Sequence, residues 1–291
     1  MNVVPLTEFS SDRQFEAHFR SLPRVVLEGD SDVAFFLAWF EHLLSELDFV
    51  SAKSISGAAG CTAVGQAVQQ SIDDDGIPAI GIVDRDWLSR EQRWDLLYSL
   101  DDNAATNAKG GDVVTASLWE IEAYLLLPEL MGRWVGLQRN PPPASQGEKG
   151  SALARVVEEC DALLFAMPFF ASAHAAGEHC DIRYFRDVAH HNMPEKCGEI
   201  CDALEGERRV ALEQVDSLIA AIRTAAPADP ERRLSFLLRY LDTKRLLERV
   251  GRRLKLHADA HHALSELMSL LDLRPAELEE ILNNAVARFN S

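Results

Sequence analysis

The sequence predicts an α/β protein: a mostly parallel sheet with flanking helices, followed by a mainly helical C-terminal region. Three observations predict it. Short, β-branched apolar runs alternate with stretches of helical spacing in the N-terminal half. Two of those runs end directly in carboxylates. Beyond residue 150 the apolar residues recur almost entirely at helical intervals.

The elements follow in order. Arg24 to Leu27 (RVVL) reads as a buried strand, and Glu28-Gly29-Asp30-Ser31-Asp32 as the turn after it. Asp30, Ser31 or Asp32 would cap a helix over VAFFLAWFEHLLSEL, with Phe35, Phe36 and Trp39 in the core. Phe49 to Ile55 is expected as a second strand, Gly57 to Gly60 as a tight junction, and Thr62 to Ile72 as a helix. Ile77 to Val83 is a third strand that runs into Asp84-Arg85-Asp86. Leu88 to Leu100 looks helical, Asp112 to Thr115 is expected as a fourth strand, and Leu118 to Leu127 as a helix or a strand-to-helix corner. The Pro- and Gly-rich run 140–150 is a linker or a surface loop. Helices are expected at Ala152 to Phe165, Cys197 to Ala221, Glu231 to Leu254, His257 to Leu271 and Pro275 to Phe289, with Pro275 in the first turn of the last. The domain reading is therefore 1–135 for the α/β domain, 136–150 for the linker or loop, and 151–291 for the helical region.

Composition narrows the classes. At 47% hydrophobic residues the chain can bury a sizeable core. No run of eighteen apolar residues is present and the N-terminus lacks a secretory pattern, so a cytoplasmic, non-membrane protein is expected. Five cysteines, an odd number in a long chain, argue against a disulfide scaffold. The net charge of -17 argues against a generally nucleic-acid-coated surface, but charge is uneven. Residues 208–255 hold twelve Lys or Arg against six Asp or Glu, leaving -23 for the rest. This segment, densest at Lys244, Arg245, Arg249, Arg252, Arg253 and Lys255, is either a solvated face balancing an acidic domain or a phosphate-contacting surface.

The chemistry concentrates at the two strand ends. In parallel sheets ligands sit beyond the carboxyl ends of the strands, where Glu28 and Asp84 fall. Residues two apart on a strand point the same way, so Asp84 and Asp86 converge if the strand geometry persists. Three carboxylates together repel unless a cation neutralises them, and a hard cation, Mg²⁺ or Mn²⁺, prefers oxygen ligands. Gly57 to Gly60 lacks the Lys-Ser/Thr of a phosphate-binding loop, so any ATPase would be another chain. His174, His179, Cys180, His190, His191, Cys197 and Cys201 lie close in sequence but fit no standard zinc spacing.

The segments VVLEGDSDVAFF and AIGIVDRDW resemble the toprim domain shared by topoisomerases, bacterial primases and overcoming-lysogenization-defect (OLD) nucleases. Within that superfamily residues 20–130 most resemble the toprim-like DUF4435 group, whose third segment, Ile-Glu-Asn-Tyr-Leu, is similar to the stretch from Ile121 to Leu125 here. The resemblance implies that Glu28, Asp84 and Asp86 hold metal and take part in catalysis. It implies Gly29 as a tight turn contacting substrate, Asp32 and Glu122 at a second metal position with Glu120 accessory, and Lys244 as a late, phosphate-stabilising catalytic lysine. Arg245, Arg249, Arg252 and Arg253 would contact substrate phosphates. Ala123 stands where Asn is usual, and Thr243 where Gly is usual. The expected function is a Mg²⁺- or Mn²⁺-dependent nuclease acting on DNA or RNA in anti-phage defence, beside an ATPase partner and as a homodimer. The alternative is a non-catalytic module that binds a nucleotide or nucleic-acid end with Mg²⁺ and acts through a protein partner.

Overall fold

A computed structural model describes residues 21–177, 185, 187–202, 207–257 and 259–290. It is an α/β protein with a four-stranded, all-parallel sheet and a helical C-terminal region. The strands are β1 (Arg24–Leu27), β2 (Asp48–Ser51), β3 (Ala79–Val83) and β4 (Val113–Thr115), in the order β2-β1-β3-β4. Val25 pairs with Phe49 on one side and Ile80 on the other, and Ile82 pairs with Val114. Every residue of β3 is buried, as befits an apolar run covered on both faces.

Strand order places the site. The chain leaves β1 for β2 on one side and then passes to β3 on the other. The crevice between the carboxyl ends of β1 and β3 is thus the point where the winding reverses, the usual ligand position in open parallel sheets. The helix Cys61–Asp73 presses closely on β3. A Cβ on Gly81 would lie 2.5 Å from Val64 Cγ1, so only glycine fits there.

The chain groups into two compact units. One comprises the sheet strands with their adjoining helices, residues 106–116 and 268–290 among them. The other comprises 85–105 and 117–267. Its axis is the helix Ala152–Ala175, which packs against the helices Met193–Asp202, Glu207–Ala225, Pro230–Leu237 and Thr243–Arg253. Val156, Cys160, Leu164 and Met167 line the buried side of that axis. No helix among the described residues is long and apolar enough to cross a membrane.

Several elements differ from expectation for local reasons. The first helix spans Asp30–Trp39 and stops where Phe40 leaves helical geometry (φ -120°, ψ 36°). The second strand ends at Ser51, which takes the extended N-cap position of the short helix Ala52–Ser56. The stretch 88–100 divides into Trp87–Arg90 and Trp94–Leu97, because Gln92 adopts a left-handed conformation (φ 54°). The stretch 231–254 also divides, at Asp242, whose carboxylate caps the helix Thr243–Arg253 by accepting from the Arg245 N–H at 3.0 Å. Pro275 is the N-cap of the last helix, Ala276–Phe289. Within 140–150, Ser145 and Glu148 form a reciprocal capping box over a short helix, Gln146–Gly150.

Candidate metal centre

Glu28 follows β1 and Asp84 follows β3, so neighbouring strands bring their carboxylates to the same sheet edge. The backbone N–H of Asp84 donates to Glu28 Oε1 at 3.0 Å, which fixes the glutamate across the crevice. Both side chains are nearly buried, with Glu28 8% and Asp84 9% exposed. Gly29 opens the turn, and its N–H donates to Asp32 Oδ2 at 3.0 Å. Asp32 therefore caps the helix Asp30–Trp39 from within its first turn.

Asp86 comes two residues after Asp84 on the same stretch of chain. One oxygen from each of Glu28, Asp84 and Asp86 lies within 4.8 Å of the others. Oxygens on opposite sides of one hard cation are separated by about twice the metal–oxygen length, roughly 4–5 Å. The three carboxylates are thus close enough together that they could hold one metal ion. Among the described residues this is the one group of three His, Cys, Asp or Glu side chains so close together.

Asp86 does not continue the strand. It has helical geometry at the start of Trp87–Arg90. The residue between the aspartates supplies the anchor. Arg85 is fully buried, and its guanidinium donates to the Leu97 carbonyl at 2.8 Å and the Ser117 carbonyl at 3.2 Å. Its Cζ lies 5.3 Å from the ring centroid of Tyr240. The Asp86 N–H is held by the Trp119 carbonyl at 3.0 Å. Arg90, one helical turn on, donates to both Asp86 oxygens at 2.9 and 2.7 Å. Burial, reinforced by nearby Asp242, raises the Asp86 pKa above the usual carboxylate range, against the opposing pull of Arg90 and Lys244.

Glu120, Glu122 and Lys244 form a separate ionic cluster. Glu120 is extended (φ -153°, ψ 166°) and Ile121–Leu125 is a 3₁₀ turn, so the corner allows two glutamates two residues apart to meet one partner. Lys244 Nζ lies 2.7 Å from Glu120 Oε2 and 3.4 Å from Glu122 Oε1. The Lys244 backbone N–H also donates to Glu120 Oε1 at 2.9 Å. Burial pushes the Glu120 pKa up to about 7, despite the ammonium beside it. Burial disfavours the charged lysine, but the two carboxylates outweigh that and raise its pKa. Lys244 thus already compensates Glu122, expected with Asp32 at a second metal position, and Glu120, expected as its accessory.

The basic segment is not one exposed stripe. Arg249 is fully buried and pairs with buried Glu159, while also donating to the Phe185 carbonyl. Its guanidinium holds helices together and is withdrawn from solvent, which corrects the expectation that it contacts substrate. Arg245 pairs with Asp242 at 2.7 Å and lies over Phe170, with its Cζ 3.9 Å from the ring centroid. Arg252 pairs with Asp187 at 3.1 Å, and Arg253 reaches Glu159 at 3.6 Å; both remain partly exposed. In the His/Cys stretch, Cys197 is buried and donates to the Phe165 carbonyl. His174 meets the Arg90 carbonyl at 3.3 Å. His179, Cys180 and the Cys201 side chain lie outside the described residues.

Sequence reasoning missed Arg85, Arg90 and Asp242. The signal for Arg90 was its four-residue spacing from Asp86, and for Asp242 its place before a helical run. Arg85 gave no signal, because only the fold shows which carbonyls it reaches. The fold class and its site are those of a parallel α/β protein with carboxylates at the reversal of strand order. No family model, curated protein or solved structure matches the chain.

Proposed function

We propose that the protein is a metal-dependent nuclease that hydrolyses phosphodiester bonds in DNA or RNA. The observation that carries this reading is the set of three carboxylate oxygens, from Glu28, Asp84 and Asp86, within 4.8 Å at the β1/β3 crevice. Glu28, Asp84 and Asp86 would hold one Mg²⁺ or Mn²⁺. Such an ion supplies charge neutralisation at a phosphate and a more acidic bound water. The chain's own contribution is positional. The Asp84 N–H orients Glu28, and Arg85 and Arg90 set the Asp86 carboxylate. Lys244 holds a positive charge at the Glu120–Glu122 corner, and Arg245, Arg252 and Arg253 add positive charge on the same helix. The resemblance of VVLEGDSDVAFF and AIGIVDRDW to toprim segments supports phosphodiester chemistry and, with OLD nucleases, a cytoplasmic role in anti-phage defence beside an ATPase.

A second reading is a non-catalytic module that binds Mg²⁺ with a nucleotide or nucleic-acid end and acts through a protein partner. The Lys244 ammonium favours it, since it already compensates Glu120 and Glu122 and leaves three carboxylates for one cation. The test is a Mn²⁺ titration, followed by incubation with labelled single- and double-stranded DNA and RNA, for wild type and Asp84→Ala. The nuclease reading expects cation-dependent cleavage that Asp84→Ala abolishes. Clean cation binding without cleavage by either protein would favour the module. Equal cleavage by both would reject the site.

A further inference from the structure

On the metal-centre reading proposed above, we infer that Arg90 is a built-in competitor of the divalent cation for Asp86. The chain's own guanidinium thereby limits how tightly the cation is held and ties loading of the centre to the concentration of free cation.

One nitrogen of Arg90, Nη2, donates to Asp86 Oδ1 at 2.9 Å and to Asp86 Oδ2 at 2.7 Å. A single donor almost equidistant from both oxygens sits in front of the carboxylate. That is also the direction from which a divalent cation takes a carboxylate through both oxygens. A cation taking one oxygen alone still meets the guanidinium across the same small group, and like charges that close repel. Glu28 is held differently: its Oε1 accepts from the Asp84 backbone N–H, a neutral donor that a cation does not replace. Competition of charge with charge therefore falls on Asp86.

The backbone of Asp86 does not depend on this pair. Its N–H is held by the Trp119 carbonyl at 3.0 Å. The preceding residue, fully buried Arg85, is tied to the Leu97 and Ser117 carbonyls. The backbone of Arg90 is pinned as well: its N–H donates to the Asp86 carbonyl at 3.2 Å, and its carbonyl meets His174 Nε2 at 3.3 Å. The guanidinium can thus leave Asp86 without moving the turn that carries both residues. The Arg90 side chain is 49% exposed against 22% for Asp86, so water receives it. An exposed pair four residues apart contributes little to folding, which leaves its charge beside Asp86 as its main consequence.

The test measures Mn²⁺ binding to the full-length chain by titration calorimetry, with thermal melts in the absence and presence of Mn²⁺. Wild type, Arg90→Met, Arg90→Lys and Asp84→Ala are compared. Competition expects Arg90→Met to bind Mn²⁺ at least threefold more tightly than wild type. Arg90→Lys, which restores the charge, should return toward the wild-type affinity. The same excess of Mn²⁺ should also raise the melting midpoint of Arg90→Met more than that of wild type, because tighter binding to the folded state stabilises it more. An arginine with a structural role alone would lower both melts alike and leave the affinity unchanged. Binding that needs Asp84 but is unchanged or weaker in Arg90→Met would overturn the competition and keep the metal centre. Mn²⁺ binding absent from wild type and Arg90→Met, or left intact by Asp84→Ala, would reject the metal centre itself and the competition with it.

Discussion

Replacing Lys244 by methionine keeps the apolar stem and removes the ammonium. The glutamates it bridges are almost buried, with Glu120 5% and Glu122 9% exposed at the side chain. Two carboxylates then share a corner with no positive charge between them. Breaking a fully buried pair costs about 3–5 kcal/mol, whereas an exposed pair contributes at most about 1 kcal/mol. The Lys244 side chain is 60% exposed, so water reaches the vacated side. The expected loss therefore lies between those limits, at about 1–3 kcal/mol near neutral pH. At roughly 2–4 °C per kcal/mol for a chain of this size, the melting midpoint falls by about 2–12 °C. The assay is a thermal melt of wild type and variant near neutral pH and again at mildly acidic pH. Acid protonates Glu120 and removes most of the repulsion, so the difference should shrink. Adding Glu120→Gln to the variant should recover most of the loss at neutral pH. Identical melts for wild type and Lys244→Met at both pH values would refute the reasoning.

Three further outcomes follow from the same geometry. Glu120→Gln should flatten the pH dependence of stability: the Glu120 pKa is raised from 4.5 to about 7, so its contribution to stability is fully present below 4.5 and lost as pH rises through 7, by up to about 3 kcal/mol, read as the difference between wild-type and variant urea melts across that window. Arg249→Met should cost about 3 kcal/mol by urea midpoint, the low end for a buried pair because Arg253 stays 3.6 Å from Glu159; a loss below about 1 kcal/mol would contradict it, and Glu159→Gln added to the variant should restore part of the stability. Gly81→Ala should destabilise by about 1–3 kcal/mol through the clash with Val64 Cγ1, and trimming Val64 to alanine in the same chain should relieve the clash.

Much of the sheet was legible in the sequence because its strands are short, continuous apolar runs with no competing period. Arg24–Leu27 appears as expected, and β3 ends at Val83, next to Asp84. Helix ends were harder to read, since they turn on single backbone angles. Nothing in the composition of 88–100 announces the left-handed Gln92, and the periodicity of 231–254 runs through the break that Asp242 caps.

The acidic residues themselves were equally legible. Carboxylates at the ends of apolar runs nominate a candidate site where parallel strands end, so Glu28, Asp84 and Asp86 are candidates from local pattern and the geometry of parallel sheets. Their company did not. Strand order, and with it the reversal between β1 and β3, depends on which strands pair over long separations in sequence. The positive charges divide in the same way. Lys244, Arg245 and Arg249 look alike along one basic helix, yet one bridges two glutamates, one stacks on Phe170, and one is sealed inside with Glu159. Sequence determines that a cation-rich helix exists. Only packing decides which charges are desolvated and paired, because burial and long-range partners, not residue type, set the free energy of a charge.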